Sequence, residues 1–113
     1  MITEIKNKAG DFSAQDTAIA NYAKALSHPA RIAILQLLIQ KQTCICGDIV
    51  DELPLAQSTV SQHLKVLKEA GLIKGEIEGA TVCYCIDEQA WAHAKNILNN
   101  LFLSFQPAAG TCC

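Results

Sequence analysis

Leu53-Pro54-Leu55-Ala56-Gln57-Ser58-Thr59-Val60-Ser61-Gln62-His63-Leu64-Lys65-Val66-Leu67-Lys68-Glu69-Ala70-Gly71-Leu72-Ile73 is the stretch that decides the fold. Pro54 ends the segment before it, and Leu55-Ala56 completes a tight turn. From about Gln57 to Ala70, Val60, Leu64 and Leu67 recur at i, i+4 and i+7, which places them on one face of a helix. Ser58, Thr59, Ser61, Gln62 and Lys65 fall on the other faces. Gly71 stands where a left-handed helix cap is expected. A short helix from about Cys46 to Leu53, a tight turn and a longer helix polar on one side make a helix-turn-helix.

The flanks extend that unit in both directions. Upstream, Ile19, Tyr22, Ala23 and Leu26 repeat at helical spacing between about Asp11 and Leu26. Ser27-His28-Pro29 breaks this helix and starts the next, proline being tolerated in a first turn. From Pro29 to about Ile39 the chain is apolar on nearly all sides, through Ile32, Ile34, Leu35, Leu37, Leu38 and Ile39, which predicts a buried central helix. Downstream, Leu72 to Glu78 and Thr81 to Ile86 read as two strands joined at Gly79-Ala80, a hairpin wing. Asp87 is a good N-cap for a last helix to about Phe105. Its apolar stripe is Ala90, Trp91, Ala94, Ile97, Leu98, Leu101, Phe102 and Phe105, and Pro107 ends it. The predicted fold is mainly α: a winged helix-turn-helix of about five helices with a two-stranded β-hairpin wing. Residues 1–10 are expected to be a flexible N-terminus, 11–106 the DNA-binding and dimerisation domain, and 107–113 a flexible cysteine-containing tail.

The length of 113 residues suits one domain with a modest core, for which a dimer interface buries useful extra surface. No apolar run approaches the roughly 18–20 residues that cross a bilayer. Glu4, Lys6 and Lys8 interrupt the first ten residues, so no signal peptide is expected and the cytoplasm is the expected location. The net charge of −2 argues against a strongly electrostatic DNA binder. Its distribution softens this, because Lys65, Lys68 and Lys74 face only Glu69 between Ala56 and Gly75. A locally basic face is compatible with DNA, with a modest charge contribution. The wing carries Glu76 and Glu78 beside Gly79, so strong phosphate contact there is not expected.

The six cysteines form three tight pairs: Cys44-Ile45-Cys46, Cys83-Tyr84-Cys85 and Cys112-Cys113. In a cytoplasmic chain with an adequate core, these read as reduced thiols available to metals or redox chemistry rather than as a disulfide framework. Cys44 and Cys46 lie directly ahead of the helix-turn-helix. Residues i and i+2 do not share a face in a regular helix. At a helix start the first residue is not yet helical, so the two sulfurs can converge, and the helix N-terminus favours thiolate. Thiolates select soft ions such as Cu(I), Zn or Cd, and trivalent arsenic and antimony share that preference. Cys83 and Cys85 alternate on a strand, point to one face and read as small core residues. No Cys-x-x-Cys and no nucleophile–base pair points to an enzyme.

The helix order, the wing and the stretch 53–73 resemble the ArsR/SmtB family of winged-helix metalloregulators, and Leu26-Ser27-His28-Pro29-Ala30-Arg31 is similar to the lead-in to that family's second helix. The resemblance covers roughly residues 15–105. It implies a homodimer through the first and last helices, bound to double-stranded operator DNA without ligand and released by ligand, with no organic cofactor. Thr43-Cys44-Ile45-Cys46-Gly47-Asp48-Ile49 is similar to the thiol motif of the family's arsenite sensors, which implies arsenite or antimonite as inducer. Such sensors often carry a third cysteine where Ile49 stands here, and the tail cysteines Cys112 and Cys113 are the expected substitute. The family's zinc sensors use ligands on the last helix. Asp87 and His93 are present there, but Gln89 and Asn96 occupy the other positions. A zinc or cadmium site of Cys44, Cys46, Cys112 and Cys113, or a reversible disulfide, is the alternative. Gln57, Ser58, Thr59, Ser61, Gln62 and His63, early in the recognition helix, are the candidate DNA contacts, with Lys65 and Lys68 for phosphate.

Overall fold

The computed structural model describes residues 12–42, 44–46, 49, 52–78 and 81–108. Its elements run α1 (Ala14–Ala25), α2 (Pro29–Lys41), β1 (Ile45–Cys46), α3 (Gln57–Glu69), β2 (Ile73–Glu78), β3 (Thr81–Ile86) and α4 (Glu88–Leu103). The expected N-terminal arm 1–10 lies outside the described residues, as do the wing turn Gly79-Ala80 and the tail cysteines Cys112 and Cys113.

Local chemistry sets the helix ends. Ser13 caps α1, its Oγ accepting from the Asp16 N–H at 3.0 Å. His28 caps α2 in the same way, Nδ1 accepting from the Ala30 N–H at 3.0 Å, with Pro29 pre-setting the first turn. Asp87 caps α4, its Oδ1 accepting from the Ala90 N–H at 3.1 Å, as its position predicts. Gly71 ends α3 at φ 89°, a left-handed conformation that a side chain would strain. The Leu72 N–H then returns to the Leu67 carbonyl, closing the cap and turning the chain into β2.

The core gathers Ile34, Leu35 and Leu38 of α2, Val60, Leu64 and Leu67 of α3, Leu72, Ile73, and Ala94 and Ile97 of α4. The α3 stripe is therefore the one its periodicity predicts. Helix α2 departs from the fully buried element expected: Ile32 and Ile39 stay exposed in the protomer. Trp91 is half-buried against the core, and the Tyr22 hydroxyl shares a 3.0 Å hydrogen bond with His93 Nδ1, tying α1 to α4.

The sheet has the order β1-β3-β2, antiparallel throughout. The wing hairpin pairs Ile73 with Ile86 through Glu78 with Thr81. Gly75 lies opposite Tyr84, and a Cβ there would come within 3.1 Å of the tyrosine ring.

The expected short helix from Cys46 to Leu53 is not what forms at its start. Ile45 and Cys46 are a strand paired with Tyr84 and Cys83, and the described helices number four, not five. Residues 47–48 and 50–51 of that expected helix lie outside the described residues. The physical reason is tertiary: β3 presents an open edge, and pairing with Tyr84 gives the Ile45 backbone groups partners across about 40 residues of sequence.

Candidate DNA interface and thiol cluster

Helix α3 presents Gln57, Ser58, Thr59, Ser61, Gln62, Lys65 and Lys68 to solvent, while Val60, Leu64 and Leu67 hold its other side in the core. This division follows from the i, i+4, i+7 spacing alone. No acid lies in the first turn of α3, and Lys68 is in its last. Lys41, at the end of α2, sits 3.9 Å from Glu52, which reduces its reach for an outside anion.

His63 differs from its neighbours. Expected among the base-contacting residues, it is half-buried and turned toward α2. Its Nδ1 accepts from Arg31 Nη1 at 3.1 Å, and its ring lies 4.4 Å from the His28 ring, centroid to centroid. Arg31 uses its other donors on α1 and the α1–α2 junction: Nε on the Ala25 carbonyl at 2.7 Å, and Nη2 on the Lys24 carbonyl at 3.2 Å and Ser27 Oγ at 3.3 Å. One guanidinium thus joins the end of α1, the start of α2 and α3. Burial lowers the His63 pKa first, and the nearby His28 and Arg31 charges lower it further. His63 therefore acts here as a neutral packing acceptor. Each of these residues is visible in the sequence, but no local periodicity shows that positions 28, 31 and 63 meet.

The cysteines are the second correction. Cys46 lies opposite Cys83 and Cys44 opposite Cys85, and each pair is joined in a disulfide. Residues i and i+2 of a strand share a face, so the spacing that is awkward on a helix is natural here. The Cα atoms are 4.3 Å apart for Cys44–Cys85 and 3.9 Å for Cys46–Cys83. Such short separations belong to the non-hydrogen-bonded positions of an antiparallel ladder, where side chains approach most closely. Cys83 and Cys85 are buried, as expected, but they are not merely packing residues; nor are these four thiols reduced, as the sequence suggests. Cys44 and Cys46 remain exposed. The signal was a repeated Cys-x-Cys, one copy on each of two segments, and the helical reading of the first copy hid its match to the second. With these sulfurs paired, no group of three or more His, Cys, Asp or Glu among the described residues is arranged to hold a metal ion.

A cleft of about 320 Å³ opens beside this cluster. Leu38, Ile39 and Gln42 at the end of α2 form one wall, Lys74 and Glu76 of β2 another, and Cys44 and Cys85 lie on its surface. Among the described residues, no helix is long and apolar enough to cross a membrane.

Comparison with known proteins agrees with this architecture. Residues 28–74 match the model of the bacterial regulatory protein arsR family. The chain is 42% identical over 76 residues to the HTH-type transcriptional repressor SmtB of Mycobacterium tuberculosis, covering 67% of this chain and 56% of that protein. It thus spans little more than half the length of that relative. It is 33% identical over 86 residues to the cadmium resistance transcriptional regulatory protein CadC homolog of Staphylococcus aureus, covering 75% of this chain and 68% of that one. Among solved structures, the transcriptional repressor BigR from Xylella fastidiosa superposes with a TM-score of 0.60 at 27% identity, covering 83% of this chain and 92% of that chain. These are regulators rather than enzymes. A winged helix-turn-helix with this match across its central helices belongs to the arsR family of bacterial regulatory proteins.

Proposed function

We propose that the chain is a transcriptional repressor that binds operator DNA as a homodimer and releases it when trivalent arsenic or antimony binds cysteine thiolates. One observation carries this reading: two cysteines, Cys44 and Cys46, which reduction of their disulfides would free as thiols, sit immediately upstream of the segment that leads into an exposed, polar, lysine-bearing α3. A ligand that pulls on residues 44–46 acts on the segment that runs from β1 (Ile45–Cys46) to α3 (Gln57–Glu69), the helix that would enter the major groove. Gln57, Ser58, Thr59, Ser61 and Gln62 supply the hydrogen-bonding groups for base edges, and Lys65 and Lys68 reach phosphate. From the sequence alone, Cys112 and Cys113 are the candidates for a third thiolate. The homodimer forms through α1 and α4. Exposed Leu101, Phe102, Leu103 and Phe105 at the end of α4, with Phe12 before α1, support an apolar contact there. Such a repressor works in the cytoplasm, where its operator is.

A zinc- or cadmium-responsive repressor is the second reading. The name of the Staphylococcus aureus relative, a cadmium resistance regulator, favours it. Both readings require that the ligand prefer the DNA-incompetent state, with a coupling of about 1–3 kcal/mol or more.

Fluorescence anisotropy of reduced protein on a DNA fragment from upstream of its own gene tests both. Arsenite, antimonite, cadmium, zinc and peroxide are then added in turn. Release by arsenite and antimonite supports the first reading, and release by cadmium or zinc alone replaces it with the second. Absence of DNA binding by the reduced protein sinks both.

A further inference from the structure

We propose that Cys83 and Cys85 of the wing complete the thiol site begun by Cys44 and Cys46, so that the sensor is a four-sulfur cluster bridging β1 and β3. The inference rests on the reading that Cys44 and Cys46 bind the inducer, and it changes where the remaining ligands come from.

Geometry carries it. The two strands run antiparallel, with Cys46 facing Cys83 and Cys44 facing Cys85. Cross-strand Cα separations are 4.3 and 3.9 Å. Along each strand the two cysteines are about 6.6 Å apart, from a rise of about 3.3 Å per residue. All four side chains leave the same face of the ladder, so four sulfurs occupy one small rectangle. Trivalent arsenic needs three thiolates and a tetrahedral zinc or cadmium ion needs four, and this rectangle offers either set without the tail. Disulfide formation across both pairs shows that the sulfurs approach within bonding reach. The cleft floored by Cys44 and Cys85 gives the ligand a path to the buried side of the cluster.

The chemistry balances without an external redox partner once the thiols are reduced. Arsenite, As(OH)₃, exchanges three As–O bonds for three As–S bonds. Each thiol proton leaves with a hydroxide as water, and arsenic stays trivalent. The disulfide form is closed to this ligand. Opening each S–S bond takes two electrons and two protons from a dithiol reductant, which becomes a disulfide in turn.

The site also has a mechanical consequence. β1 leads into the helix-turn-helix and β3 belongs to the wing that follows it, so an ion held by both strands clamps the two flanks of α3 to each other. A site of Cys44, Cys46 and a tail thiolate would have no hold on the wing.

The test uses the full chain, reduced, with arsenite and cadmium chloride as separate probes. Affinity is measured by competition with a small dithiol for the wild type, C83A/C85A and C112S/C113S. Alkylation of each cysteine in the wild type is followed by mass spectrometry, with and without the probe. The expected result is a loss of about tenfold or more in C83A/C85A, little change in C112S/C113S, and slower alkylation of Cys83 or Cys85 in loaded wild type. The wild-type measurement stands even if C83A/C85A folds poorly. Protection confined to Cys44, Cys46 and the tail overturns the wing assignment and leaves the inducer reading intact. Protection that includes the wing pair, with no release of DNA, supports this site and overturns the inducer reading alone. No protection by either probe overturns both.

Discussion

Reducing the two cross-strand disulfides should destabilise the fold by an amount that the topology sets. Cys46–Cys83 closes a loop with a sequence separation of 37. In the chain-entropy account, a loop of this size removes about 13 cal/mol/K from the unfolded ensemble, or about 4 kcal/mol at 25 °C. The second bond, Cys44–Cys85, is nested outside the first. Once the inner bond is closed, it adds only a ring of residues 44–46 and 83–85, worth about 2 kcal/mol by the same relation. The two are therefore not additive as independent 37- and 41-residue loops, and about 6 kcal/mol is the combined upper bound. With a urea slope of about 1.5–3 kcal/mol/M, the midpoint should fall by about 2–4 M on reduction. Urea denaturation followed by Trp91 fluorescence and far-UV circular dichroism reads this directly, at one fixed protein concentration because association also shifts the midpoint. Opening the outer bond alone, in C44S/C85S, should account for only about a third of the shift. Oxidised and reduced midpoints within about 0.5 M of each other would refute the pairing.

Other outcomes follow from the same structure. Lys65→Ala and Lys68→Ala should each weaken DNA binding about equally for all sequences and flatten the log–log salt dependence by about 1, read from anisotropy titrations across a salt series. Leu67→Ala, at a side chain with 0% exposure, should cost about 2–5 kcal/mol in denaturant unfolding. His63 binds its proton less readily when folded than when unfolded, so its contribution is present above the ordinary value of 6.5 and is lost as pH falls below it. Thermal melts should accordingly fall as the pH drops below 6.5, and His63→Gln, which keeps an acceptor for Arg31 without a titrating ring, should flatten that slope. Phe102→Glu, at an exposed end of α4, should shift the protein to monomer in sedimentation and weaken operator binding with it.

Residues close in sequence settled much of the fold. Val60, Leu64 and Leu67 define the buried side of α3 because helical geometry repeats every 3.6 residues, and the same spacing leaves Ser58, Gln62 and Lys65 outside. Gly71 and Asp87 mark a helix end and a helix start because a left-handed backbone and a capping carboxylate act over three or four residues. The wing was legible for the same reason, a hairpin being a local pairing. What only the tertiary structure decided lies at long range. Ile45 and Cys46 are a strand because β3 offers them partners, and that pairing alone sets Cys44 against Cys85 and Cys46 against Cys83. His63 is an inward acceptor because α2 brings Arg31 and His28 against it. Periodicity reports which side of an element is apolar; it does not report which other element will lie there. The exposed polar side of α3 could therefore be read from the chain, whereas the partners of Cys44 and Cys46 had to be seen in space.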